Sequence, residues 1–132
     1  MNHFDRLREL IDNCYAPYSK FRVASIAVLE DDRTYGGVNV ESVAYPTTMC
    51  AERNAIFHSV TEGAKPGDIA EVHILAVNGE GECVKAYPCG ACRQVIAELS
   101  RNAAKIHIYR SREDVTVHSI ADLLPHAFDS LE

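Results

Sequence analysis

The sequence predicts an α/β layered domain with a mixed sheet, its elements in the order αββαβαββα. Three observations lead there. Segments with helical periodicity alternate with short β-rich runs, the pattern of helices layered on a sheet. The first two strand runs are joined by only two residues, which makes an antiparallel hairpin. The later strands are separated by a whole helix, and such crossovers bring strands into one sheet in parallel.

Phe4, Leu7, Ile11 and Cys14 recur at helical spacing, so residues 3–14 are expected to form the first amphipathic helix. Pro17 in APYSKF then opens a loop. VASIAVLE (23–30) and RTYGGVNV (33–40) read as the hairpin strands, turning at Asp31-Asp32. CAERNAIFHSVTEG (50–63) is the second helix, closed by Gly63 and Pro66. AEVHILAVN (70–78) is a strand followed by a Gly/Glu loop that holds Cys83. CGACRQVIAELSRN (89–102) is the third helix, with Pro88 beside its first position. KIHIYR and VTVHSI are two short strands, and SIADLLP ends in a brief helix. No repeat or linker interrupts the 132 residues, so one domain over 1–132 is expected.

The composition narrows the function. At 47% apolar and 24% charged the chain has the balance of an ordinary globular protein. No apolar run approaches the ~20 residues of a membrane span. MNHFDRLREL carries charges of both signs and no apolar stretch, unlike a secretory signal, so the cytoplasm is the expected compartment. Net charge is −6 and the Lys and Arg residues are scattered, which argues against a polynucleotide partner and for a small molecule.

Five cysteines, an odd count in a chain expected to be cytoplasmic, argue against a disulfide framework and towards metal binding or catalysis. Cys14 and Cys83 read as small buried or incidental thiols. In PCGACRQV (88–95), Cys89 and Cys92 share the first turn of a helix, whose positive end favours thiolates. A redox pair and a structural metal site are alternatives, but a redox pair leaves Cys50 unexplained. Cys50 opens the other well-defined helix. Three thiolates on Zn²⁺ would leave one tetrahedral position for water, the pattern of a catalytic site. A structural site needs a fourth ligand, and none of the six histidines lies at short ligand spacing from these cysteines; each reads as a surface or satisfied core residue. Glu52, two residues past Cys50, cannot share its helix face but can reach beyond the helix end, where a carboxylate would accept and return a proton. Arg53 and Arg93 each follow a reactive position immediately, where either could donate hydrogen bonds to thiolates and offset their charge.

These residues resemble the small homotetrameric cytidine deaminases, a zinc-dependent family. The resemblance is carried by APYSKF (16–21), GVNVES (37–42), AYPTTMCAERNAIF (44–57), AYPCGACRQV (86–95) and DLLPHAF (122–128). It implies a three-layer α/β/α fold with a mixed five-stranded sheet. It implies one Zn²⁺ per chain on Cys50, Cys89 and Cys92, with Glu52 as proton shuttle for hydrolytic attack at C4 of cytosine. It further implies that Asn39 and Glu41 hydrogen-bond the ribose, that Phe21 packs on the pyrimidine ring and that Ala51 contacts substrate. Tyr45 and Phe128 match positions that complete a neighbouring subunit's pocket in a homotetramer. The substrate implied is cytidine or 2′-deoxycytidine, in pyrimidine salvage. Alternatives are a deaminase of another aminopyrimidine nucleoside, which retention of Glu41 disfavours, or a non-catalytic zinc module, in which Glu52 has no task. The sequence departs from the family pattern at Arg22-Val23-Ala24-Ser25, at Ser42 and at Tyr87.

Overall fold

The computed structural model describes residues 2–131. Helix α1 spans His3–Ile11, opened by the Asn2 side chain, which accepts the Asp5 amide at 2.8 Å. It ends before the expected Cys14: the Asn13 and Cys14 amides bond back to Leu10 and Ile11 in tight turns. Cys14 continues the apolar pattern because it packs beneath the same helix, where its thiol donates to the Val23 carbonyl.

Strands β1 (Arg22–Leu29) and β2 (Thr34–Val38) form the expected antiparallel hairpin. Its turn sets Asp32 at φ 70°, the left-handed region that Asp tolerates better than most residues. The second strand stops at Val38, two residues short of the sequence expectation, because Val40 leaves the hairpin to pair with Tyr15 and Met49. A single 3-10 turn, Tyr45–Thr47, then leads into α2 (Ala51–Thr61). β3 (Ile69–Val77), α3 (Gly90–Leu99), β5 (Lys105–Tyr109), β6 (Val115–Ser119) and α4 (Ile120–Leu123) all lie where periodicity placed them.

The sheet runs β2-β1-β3-β5-β6, with β3 and β5 parallel across the α3 crossover and the other neighbours antiparallel. A sixth strand, β4 (Cys83–Val84), pairs with Ala76 and Val77 at the end of β3, beyond the reach of β5. Two residues are too few to show a period, so this strand was hidden in the expected Gly/Glu loop.

One face of the sheet packs Leu29, Val72, Ile74, Ile106 and Ile108 against Ile56 of α2, Ile96 of α3 and Ile120 of α4. The other packs Ile26, Val28, Leu75 and Val77 against Leu7, Leu10 and Ile11 of α1. The result is the expected α/β/α layering. Gly37 sets the depth of α2: a Cβ there would lie 2.3 Å from the Ala55 amide nitrogen and 2.6 Å from the Ala51 carbonyl. Only a bare backbone allows α2 to lie this close to β2. Among the described residues, no helix is long and apolar enough to cross a membrane.

Candidate active site

Helices α2 and α3 present their N-termini to one point. Cys50 is the N-cap of α2 and Cys89 the N-cap of α3, with Cys92 one turn in. N-caps normally carry Ser, Thr, Asp or Asn, whose side chains bond the first free amides. Neither cysteine makes such a bond, so both thiols stay available. The three sulfurs lie within 4.8 Å of one another, and Cys50 Sγ is 3.7 Å from Cys89 Sγ. A disulfide needs about 2.05 Å. Tetrahedral Zn–S bonds of about 2.3 Å put sulfurs ~3.8 Å apart. The thiol cluster is therefore of a size to hold a zinc ion.

Arg53, one turn along α2, donates from Nη2 to Cys50 Sγ at 3.3 Å. Hydrogen bonds from Cys92 and Arg53 hold the Cys50 thiol well below its ordinary range, at about 5, despite partial burial. The Cys50 sulfur and burial push Cys92 the other way. The guanidinium and the helix N-terminus both favour a thiolate on Cys50. Arg93 departs from the expectation that it faces a thiolate. Its Nε donates to the Pro88 carbonyl at 2.7 Å and its Nη1 to the Leu123 carbonyl at 2.8 Å. It ties the residue before Cys89 to the end of α4, because backbone carbonyls lie nearer its helix face than the sulfurs do.

Glu52 is 5% exposed and lines the same pocket as Cys50 and Cys89. Burial raises its carboxyl to about 7. The pocket is a cleft of about 310 Å³ walled by Phe21, Val23, Asn39, Glu41, Ala51, Ile74 and Tyr87, among others. Phe21 and Ala51 both line it. Asn39 and Glu41 also reach the pocket, but each is partly engaged with backbone. Asn39 accepts from the Val23 amide at 3.0 Å and donates to the Phe21 carbonyl at 2.8 Å, leaving one N–H and one lone pair. Glu41 accepts from the Tyr18 and Ser19 amides and from the Ser19 hydroxyl. The Ser19 bonds hold its carboxyl below the usual carboxylate range.

Tyr45 and Phe128 do not line this cleft. They are 73% and 65% exposed; Tyr45 meets Tyr18 edge-on, and the Phe128 carbonyl accepts from Gln94. Of the positions departing from the family pattern, Tyr87 stands in the pocket wall with its ring 5.3 Å from that of His118. Ser42 shapes a turn by accepting the Ala44 amide, and Arg22 opens β1 opposite Val77. Sequence reading did not single out Ser19, Thr48, Met49 or Ile74 as pocket residues. Ser19 belongs to the quoted APYSKF motif, whereas Ile74 is one of many core-facing strand residues and carries no distinguishing signal.

The model of the cytidine and deoxycytidylate deaminase zinc-binding region matches residues 2–108. The chain belongs to this deaminase family. A cytidine deaminase of Sporosarcina psychrophila is 39% identical over 117 residues, covering 89% of this chain and 82% of that protein. The crystal structure of cytidine deaminase from Burkholderia pseudomallei superposes with a TM-score of 0.86 at 35% identity, covering 97% of this chain and all of that one. That from Mycobacterium tuberculosis gives 0.73 at 30% identity, over 98% of this chain. Membership of the deaminase family accounts for a zinc-compatible thiol cluster of which Cys50 and Cys89 line the cleft.

Proposed function

We propose that this deaminase hydrolyses cytidine and 2′-deoxycytidine to uridine and 2′-deoxyuridine with release of ammonia. One observation carries the reading: the buried Glu52 carboxyl and the Cys50 and Cys89 thiols share one pocket of nucleoside size. Cys50, Cys89 and Cys92 would hold zinc, which when bound supplies the Lewis acidity that makes water a nucleophile near neutral pH. Glu52 accepts a proton from the attacking water at a carboxylate oxygen and passes it to N3 of the cytosine ring; it then takes the proton of the hydroxyl added at C4 and delivers it to the departing amine nitrogen as the C4 carbonyl forms. Its site supports this, since a carboxyl held near 7 exchanges protons readily in both directions.

The remaining residues select the nucleoside. Phe21 and Ala51 wall the pyrimidine, while the free N–H of Asn39 and a lone pair of Glu41 meet ribose hydroxyls. A free base would leave these groups unpaired at a cost of about 1–3 kcal/mol. Arg53 tempers the thiolate charge directly, whereas Arg93 fixes the backbone that leads into Cys89. The exposure of Tyr45 and Phe128 outside their own pocket supports a homotetramer in which each completes a neighbour's site. All five thiols are unpaired, in keeping with the reducing cytoplasm. The two cores share one sheet, in keeping with a single catalytic domain over 1–132. Ultraviolet absorbance tests the reading: zinc-replete protein should turn over cytidine and deoxycytidine but not cytosine. Failure with both nucleosides would refute it.

A further inference from the structure

On the face of the sheet away from the pocket, strand register gathers three imidazoles around one carboxylate. Glu71 and His73 alternate onto the α1 side of β3. Parallel pairing sets His73 directly opposite His107 of β5, and their rings stack at 4.1 Å and 17°. His3, the first residue of α1, brings its ring to 4.2 Å from that of His73. His73 Nε2 lies 2.7 Å from Glu71 Oε1, and His107 Nε2 lies 3.8 Å from the same oxygen.

We propose that His3, Glu71 and His73 form a second metal site, taking a divalent first-row transition ion. One ligand atom from each of the three lies within 4.8 Å of the other two. Imidazole with carboxylate suits Zn²⁺, Ni²⁺ or Fe²⁺. The second nitrogen of His73, Nδ1, lies 2.7 Å from the Tyr109 hydroxyl. Donating there would leave the Nε2 lone pair aimed at the ion, the arrangement that orients metal-bound histidines generally.

Ligands on one ion at about 2.1 Å sit ~3.0–3.4 Å apart, so the Glu71 carboxylate must withdraw from His73 by under ~1 Å. At 39% exposure it has room. A groove between His3, His107 and Val117 gives an entry path, and Arg112, the cation beside it, is paired with Asp5. His73 is followed in the chain by Ile74, which lines the active-site pocket, so the two sites lie back to back across β3. An ion here would fasten the start of α1 to the sheet.

The test uses untagged protein already carrying its zinc, dialysed to equilibrium against Ni²⁺, with nickel and zinc counted together. The expected result is one nickel per chain with the zinc undisplaced, together with a raised thermal midpoint. His3→Ala and Glu71→Gln should each weaken nickel uptake roughly tenfold or more while leaving nucleoside turnover unchanged. His73→Gln risks the core, whereas His3 sits half-exposed on the first turn of α1, so its removal keeps the fold. The proposal fails if no nickel binds, if nickel replaces zinc mole for mole, or if uptake is unchanged in either variant.

Discussion

Cys50 Sγ lies 3.7 Å from Cys89 Sγ, across the gap between the N-termini of two helices that are 39 residues apart in the chain. That spacing matches two ligands of one tetrahedral ion.

Metal content follows from that match. Purified protein should hold about one zinc per chain after dialysis, and Cys89→Ser should lower zinc affinity by more than about a hundredfold. The substitution leaves α3 capped, because serine is a favoured N-cap, so the fold should survive by circular dichroism. Full zinc occupancy in the variant would remove Cys89 from the ligand set.

The two arginines should separate cleanly. Arg53→Gln removes the donor to Cys50 and is expected to lower zinc affinity or kcat by about 10- to 100-fold with little change in thermal midpoint. Arg93→Gln strands the Pro88 and Leu123 carbonyls and should cost about 1–3 kcal/mol of stability. Equal effects of the two on zinc binding would contradict the assignment.

Gly37→Ala should be among the most damaging single-methyl additions in the chain. The new Cβ meets the backbone of α2, which cannot step aside as a side chain would. A loss of about 3 kcal/mol or more is expected by urea unfolding, with reduced turnover because α2 carries Cys50 and Glu52. A near-neutral result would show that α2 is free to shift.

Stability should fall as the pH drops from 6.5 towards 4. Burial holds His73 at about 4 against an ordinary 6.5, so within that window the unfolded chain binds a proton that the folded one refuses. His107 is depressed by burial in the same direction. Glu71, held low chiefly by its bond to His73, adds stability that is present above the usual carboxylate range and lost as the pH falls through its own folded value. All three signs agree. Urea midpoints at pH 7 and pH 5 should diverge in wild type and diverge less in His107→Gln; parallel losses would mean the imidazoles are not responsible.

Most of the fold was legible because its long elements carry a clean period: β1 and β3 are apolar runs buried on both faces, and α1 shows one apolar stripe. β4 was not legible, since a two-residue strand exists only through its partner β3. The thiol site was legible because helix N-termini are marked in sequence and each carries a cysteine. The direction of Arg93 was not, because adjacency to Cys92 says nothing about which carbonyls α4 brings near. The histidine cluster was missed for a similar reason: His3, His73 and His107 look solitary until the β3–β5 register aligns them.

The most direct measurement is Glu52→Gln, assayed for bound zinc and for cytidine turnover in the same preparation. Glutamine keeps the size of the side chain and leaves the three thiols untouched, but cannot carry a proton between water, ring and amine. Zinc should stay near one per chain while kcat falls by at least about 10²–10⁴. Zinc retained with turnover near the wild-type rate would contradict the assignment of Glu52 as the proton carrier.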